Sequence, residues 1–204
     1  MRPETILKEF EDAEAILKGH FILSSGLHSD TYMQCARVLM DARRAERLCD
    51  ALAEKVRREL SETIDLVVSP AMGGVVVGYE MGRQLGISAI FCERSEGTFA
   101  LRRGFRIEPG QNVLVVEDVV TTGKSSLEAM ECIRAHGGNI VAEACLVHRK
   151  SADNQDVNPL PVPLISLLEI TVHAYAENEL PPELAALPVE KPGSRWLKSA
   201  RQSA

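Results

Sequence analysis

Val113-Leu114-Val115-Val116-Glu117-Asp118-Val119-Val120-Thr121-Thr122-Gly123-Lys124-Ser125-Ser126 is the stretch on which the reading of this chain turns. Four consecutive apolar residues have the pattern of a strand buried on both faces. Two carboxylates follow at the strand's end, and a turn rich in Thr, Gly and Ser then opens a helical pattern over residues 124–136, which stops at Gly137-Gly138. In open α/β sheets ligands bind beyond the carboxyl ends of the strands. A helix that starts there offers hydroxyls, unpaired backbone N–H groups and its positive dipole end to a phosphate. Two neighbouring carboxylates accept hydrogen bonds from two neighbouring hydroxyls. A ribose 5-phosphate laid across the turn meets both demands, with its hydroxyls on Glu117 and Asp118 and its phosphate on the helix start. Two other readings compete. A Walker A loop shares Gly123-Lys124-Ser125 but needs glycine where this chain has Asp118, and a carboxylate there repels a polyphosphate. The blander alternative is a solvated strand end followed by a plain N-cap at Thr121-Thr122.

Outward from this segment, strand and helix alternate, which predicts an α/β fold with a parallel sheet. On the N-terminal side, residues 64–69 (IDLVVS) read as a strand, PAMGG as a turn, residues 75–85 as a helix and residues 87–92 (ISAIFC) as a second strand. Residues 93–112 carry Gly97, Gly104 and Pro109-Gly110 with little apolar periodicity, so they form either a mobile loop or a β-excursion. On the C-terminal side, residues 140–147 (IVAEACLV) make the next strand and residues 163–170 (PLISLLEI) a final one; residues 153–163 are a connection, and the tail from Pro181 holds a short helix at most. Residues 41–60 form an amphipathic helix with Leu48, Leu52, Val56 and Leu60 on its apolar stripe. Residues 3–18 show helical spacing that ends at Gly19, and residues 19–41 read as a hairpin or hood able to cover a site.

The 204 residues, 45% of them apolar, suffice for one sizeable core and one domain, with a hood over about 19–40, a core over about 41–170 and a C-terminal tail. A formal net charge of -6, from 29 acidic and 23 basic side chains, argues against nucleic acid as a partner. The apolar runs are too short for a bilayer, and the polar start MRPETILKEFEDAE is unlike a signal peptide, so no membrane partner and a cytoplasmic location are expected. Five cysteines without a C-x-x-C pair suit neither a disulfide framework nor a zinc site. They are expected to be reduced core residues, and His20, His28, His136 and His173 fall outside any metal-ligand spacing.

VLVVEDVVTTGKSS resembles the phosphoribosyl pyrophosphate (PRPP) signature of the type I phosphoribosyltransferases: apolar residues, two acids and a Thr/Gly/Ser phosphate loop. The resemblance implies that Glu117, Asp118, Val119, Val120, Thr121, Thr122, Gly123, Lys124 and Ser125 bind PRPP, in a parallel-sheet core flanked by helices with a small N-terminal hood. SPAMGGVVVG after its strand is similar to the family's pyrophosphate loop. Read alone, the same stretch is a Gly-rich turn needed for close packing. GHFILSSGLHSDTYMQ resembles the hood of orotate phosphoribosyltransferases, and HRK at residues 148–150 resembles the element whose arginine binds the orotate carboxylate. Arg149 would then pair with that carboxylate through its planar fork, and Thr121 would hydrogen-bond the orotate ring.

The chain departs from the family pattern at three places. Ser24 stands where the hood usually has lysine, Met72-Gly73 where the pyrophosphate loop has Tyr-Lys, and CERSEGTFALRRGFRIEPG where the mobile loop carries lysines and His-Gly. Arg94, Arg102 and Arg103 are then the cations available to the leaving diphosphate as catalytic groups. The resemblance implies transfer of phosphoribose to orotate, Mg2+ carried with the diphosphate, no dedicated protein metal site and a homodimer. A purine-base phosphoribosyltransferase and a non-catalytic PRPP-sensing regulator are the alternatives; a regulator would normally add a DNA-binding module, and no basic recognition helix is present.

Overall fold

The structure, a computed structural model, describes residues 1–23, 26–152 and 160–191. It opens with helix α1 (Pro3–Asp12), whose Ile6 and Phe10 are buried. Strand β1 (Ile16–Ile22) follows and pairs antiparallel with β2 (His28–Met33). The expected helix over residues 3–18 therefore ends early. Glu14 takes a positive φ of 49° that turns the chain, and Ile16 and Leu17 enter the strand opposite Met33 and Tyr32. Local spacing at these two residues fits helix and strand alike, and cross-strand pairing decides between them.

Helix α2 (Cys35–Leu39) closes the hood region, and α3 (Ala42–Glu59) realises the amphipathic helix. Asp41 caps α3 by accepting from the N–H groups of Arg43 (2.9 Å) and Arg44 (3.2 Å), the usual role of an aspartate at that position. Then come β3 (Leu66–Pro70), α4 (Gly73–Leu85), β4 (Ser88–Ser95), β5 (Thr98–Leu101), β6 (Asn112–Val120), α5 (Lys124–Ala135), β7 (Asn139–Ser151) and β8 (Leu164–Val172). These strands form a sheet of order β5-β4-β3-β6-β7-β8, parallel except for β5. The parallel sheet read from the sequence is borne out. The excursion after β4 is a β-hairpin: Glu96 and Gly97, both at positive φ, turn the chain so that β5 runs back along β4.

The tail gives a further correction. After α6 (Pro182–Ala185), residues Val189–Glu190 form β9, which adds to the hood as a parallel neighbour of β1. Two residues carry no period that a sequence reading can detect; their strand exists because β1 offers a free edge. The hood is also tied to the chain after β8 by reciprocal backbone hydrogen bonds between His28 and Tyr175 (2.9 and 2.8 Å). Position 24, most of the connection over residues 153–163 and the tail beyond residue 191 lie outside the described residues.

The core divides at the sheet. On one face α3 and α4 bring Leu48, Leu52, Val56, Val77 and Met81 against Val67, Leu114, Val116 and Leu146. On the other, Met130 and Ile133 of α5 meet Leu66, Val68, Val113 and Val115. β3 and β6 lie side by side at the centre, and the chain leaves β3 toward β4 on one side and β6 toward β7 on the other. Their carboxyl ends thus flank the switch point at which α/β sheets open a crevice.

Close approach of α4 to the sheet depends on Gly78: a Cβ there would lie 2.1 Å from Ser69 Oγ and 2.8 Å from its Cβ. Gly78→Ala is expected to destabilise the protein by about 1–3 kcal/mol, a typical overpacking cost. A fall in the urea midpoint with unchanged slope would register it; an unchanged midpoint would show that α4 can retreat freely.

Candidate active site

The crevice has a volume of about 400 Å³ and lies between the ends of β3 and β6. Its walls include Pro70, Ala71 and Gly73 on one side, Glu117 to Ser126 on the other, and Arg94 and Phe99 from the hairpin. Every one of residues 117–125 singled out for PRPP thus lines one cavity. Pro70, Ala71 and Gly73 of the SPAMGG segment run from the end of β3 to the start of α4 and form the opposite wall. The Ala71–Met72 peptide is cis, and the Ala71 N–H donates to the Cys92 carbonyl at 2.8 Å.

Local backbone chemistry explains the turn between β6 and α5. Gly123, just ahead of α5, sits at φ 71°, a left-handed conformation that glycine adopts at little cost. The first N–H groups of α5 have no carbonyl one turn earlier within the helix, and Lys124, Ser125 and Ser126, which carry them, line the cavity. The opposite wall needs a glycine as well: a Cβ on Gly73 would stand 2.8 Å from Asp118 Oδ1.

Glu117 and Asp118 succeed one another on β6, so they project toward opposite faces of the sheet as it ends. Glu117 is buried on the α5 side, and Asp118 approaches Gly73 on the α4 side. Asp118 Oδ1 accepts from the Val119 N–H at 2.9 Å. Among the described residues neither acid has an ion-pair partner. Burial, reinforced by Asp118 and Glu143, pushes the Glu117 carboxyl up to about 9. Asp118 is raised too, chiefly by burial, with the hydrogen bond from the Val119 N–H opposing it.

Arg94 is the hairpin arginine that reaches the cavity. Its guanidinium lies 4.4 Å from the centre of the Phe99 ring, donates to the Gly97 carbonyl at 2.9 Å and pairs with Glu128 of α5. Arg102 and Arg103 instead sit beside Glu93, at 3.9 and 3.0 Å, outside the cavity wall. Arg149 is half-buried and lies inside β7, which continues to Ser151, rather than at a strand end. Burial lowers its pKa, and the nearby Tyr32 of the hood acts in the opposite direction. The Tyr32 hydroxyl donates to Gln34 Oε1 at 3.0 Å. Arg149 and Tyr32, from β7 and the hood, thus form a second polar corner outside the cavity lining, with Tyr32 also within electrostatic reach of Asp118; in the sequence Tyr32 is visible only as part of the hood pattern.

Two further groups were not legible as site residues. Phe99 sits in a hairpin with no strong apolar period. Glu143 looks like a solvent-facing break in strand IVAEACLV, yet it is fully buried and accepts from Ser126 Oγ at 2.6 Å. A polar residue in an otherwise apolar strand was the available signal.

A carboxylate pair at the end of a central strand and the start of the following helix share one cavity, an arrangement that fits the phosphoribosyltransferase class. Residues 38–165 match the phosphoribosyl transferase domain family, and the chain belongs to it. Within that class it is a member of the orotate phosphoribosyltransferase family. It is 62% identical over 195 residues to the orotate phosphoribosyltransferase of Sphingopyxis alaskensis, covering 96% of this chain and 98% of that protein. It is 58% identical over 195 residues to that of Erythrobacter litoralis, covering 96% and 99%. The crystal structure of the orotate phosphoribosyltransferase from Aeropyrum pernix superposes with a TM-score of 0.66 at 26% identity over 81% of this chain and 93% of that one.

The raised acids set a pH dependence. A carboxyl held neutral in the folded state binds its proton more tightly than in the unfolded chain, so its contribution to stability is present at low pH and lost as pH rises through the folded pKa. For Glu117, shifted from 4.5 to about 9, that window spans those two values. The melting temperature of the ligand-free protein is expected to fall as pH rises across it, and Glu117→Gln is expected to flatten the fall. Identical pH profiles for the two proteins would refute the assignment.

Proposed function

We propose that this cavity binds PRPP and transfers its 5-phosphoribosyl group to N1 of orotate, giving orotidine 5'-phosphate and pyrophosphate in pyrimidine synthesis. The observation that carries the reading is the meeting, in one cavity, of Glu117-Asp118 with the Thr121–Ser125 turn. The 5-phosphate rests on the turn, held by N–H groups, by the hydroxyls of Thr121, Thr122 and Ser125, and by the charge of Lys124. The ribose hydroxyls donate to the two acids. The diphosphate extends toward the Ala71–Gly73 wall and Arg94.

The reaction breaks the bond from C1 to diphosphate oxygen and forms the bond from C1 to orotate N1. Positive charge grows on the ribose ring and negative charge on the leaving group. Among the described residues Glu117 and Asp118 have no cation partner, so positive charge growing on the ring draws them toward their ionised forms and is favoured by them in return. Arg94 exchanges Glu128 for the diphosphate. Arg102 and Arg103 lie farther off, and Glu93 offsets their charge. Orotate places its carboxylate on Arg149, with Tyr32 beside it and Thr121 at the ring edge. An arginine fork and a carboxylate match in geometry and charge, whereas a purine brings no carboxylate.

Mg2+ would enter as an ion carried by substrate, because it prefers phosphate oxygens and water to a dedicated protein cage and the two acids serve the ribose. Glu117, Asp118 and the α5 turn would hold the diphosphate-bearing ligand that carries Mg2+. When bound with PRPP, the ion offsets charge on the diphosphate oxygens. We also propose a homodimer in the cytoplasm. Met72, Val76 and Tyr79 are 84%, 49% and 70% exposed, an apolar face on and just ahead of α4 that a second copy would cover. No helix among the described residues is long and apolar enough to cross a membrane.

Pyrophosphate release with PRPP and Mg2+, offered orotate, adenine, hypoxanthine or uracil in turn, tests the reading. Turnover with orotate is expected; turnover with a purine alone would overturn the acceptor. Arg149→Ala is expected to raise KM for orotate by about 10- to 100-fold, the loss of a charge-assisted pair, with little change in KM for PRPP. Arg94→Ala is expected to lower kcat by a similar factor while Arg102→Ala changes it little; equal effects would reject the distinction between them. Tyr79→Asp is expected to shift the sedimentation coefficient from dimer to monomer, and an unchanged dimer would place the interface elsewhere.

A further inference from the structure

Glu143 plays no part in the reaction described above, yet it is a fully buried acid against the phosphate turn. It stands on β7 in register with Val115 of β6, two residues before Cys145, which pairs with Glu117. Glu143 Oε1 lies 2.6 Å from Ser126 Oγ, and Oε2 has no hydrogen-bond partner. Ser126 is buried at the third position of α5 and belongs to the cavity wall.

A serine hydroxyl has one proton to give and two lone pairs to offer. With Glu143 ionised, Ser126 must donate to it and presents only lone pairs to the cavity. With Glu143 protonated on Oε1, the acid donates to Ser126 Oγ, and the serine proton is free to point at the cavity. An anion at the turn favours the second arrangement, because lone pairs repel it and a donor attracts it.

We propose that Glu143 is a positioning residue that, when protonated, turns Ser126 into a hydrogen-bond donor toward the phosphate at the α5 turn, so that phosphate binding and a proton on Glu143 are coupled. The inference rests on the reading of this turn as the phosphate site. The proton comes from solvent when the ligand binds and returns to solvent on its release; no covalent bond other than that O–H changes.

The surroundings support a titration within the working range. Burial pushes the Glu143 carboxyl up to about 7, with the Ser126 hydrogen bond opposing the shift. From β6 it faces Glu117, with Asp118 next in the chain, and from its own strand Cys145, which senses all three acids. The buried residues of α5 (Ser126, Ala129, Met130, Cys132, Ile133) add one thiol, whose pKa burial raises, and no charged side chain, and β8 sets Leu164 and Ser166 alongside Glu143 and Cys145. Among the described residues no cation pairs with Glu143.

The test is the dissociation constant of ribose 5-phosphate, measured by calorimetry at several pH values for the wild-type protein, Glu143→Gln and Ser126→Ala. Glutamine stays neutral and still donates to Ser126, and the comparison at each pH cancels the titration of the phosphate itself, whose second pKa is about 6. Relative to Glu143→Gln, wild-type affinity is expected to fall about tenfold as pH rises from about 6 to about 9, the effect of one hydrogen bond to an ion. Ser126→Ala is expected to remove that fall and to bind without the proton uptake that the wild-type protein shows between buffers of different ionisation enthalpy. Parallel curves for wild type and Glu143→Gln would overturn the coupling while leaving the phosphate site intact. Should Glu143→Gln not fold, wild type against Ser126→Ala decides the same question, and parallel curves again overturn it. A full pH effect persisting in Ser126→Ala would also overturn the proposal, since the charge would then act through Glu117. No ribose 5-phosphate binding by the wild-type protein at any pH would instead overturn the reading of the turn itself, and the coupling with it.

Discussion

The burial of uncompensated carboxylates at the end of a central strand is the constraint around which the rest of this structure is arranged. Glu117 and Asp118 sit where β6 leaves an apolar interior, with Glu143 behind them and no cation among the described residues to offset their charge. Such an arrangement is costly in an empty cavity, and burial holds these acids toward their neutral forms. Under the proposed function it becomes favourable when hydroxyl donors and a ring acquiring positive charge occupy the space. The strand pays for its own stability elsewhere, through Val113 to Val116, which fill both faces of the sheet.

The walls of the cavity follow from that placement. β3 runs beside β6, and its turn must pass close to Asp118, which Gly73 permits. α5 begins just after β6 ends and brings Lys124, Ser125 and Ser126 to the same space. The hairpin β4–β5 adds a cation at the remaining side, with Arg94 lying against Phe99 and paired to Glu128 on α5. An arginine restrained in this way is positioned without being committed, because an exposed ion pair is weak and gives way to a more highly charged ligand. Arg102 and Arg103 share the charge of Glu93 and lie outside this arrangement.

The hood has a different logic. β1, β2 and β9 come from opposite ends of the chain and meet in a sheet of three short strands. A buried pair of histidines, His20 Nε2 and His28 Nδ1 at 2.6 Å, joins its strands, and His20 Nδ1 lies 3.3 Å from the Leu187 carbonyl in the segment leading to β9. These contacts place Tyr32 near Arg149 of the core sheet, so the proposed base corner needs both units.

The amino-acid sequence by itself determined the parallel-sheet core, the helix with Leu48, Leu52 and Val56 on its stripe, and the two acids followed by a turn into a helix. Each of these is a contiguous pattern whose physics is local: periodic burial, a capped helix start, a strand end. Only the tertiary structure decided that Ile16 and Leu17 belong to a strand, that Val189–Glu190 completes the hood, that Arg94 rather than Arg102 or Arg103 reaches the cavity, and that Glu143 is buried against Ser126. Those outcomes depend on which partner each residue meets across the fold, and residues far apart in a chain carry no mark of the neighbour they will find.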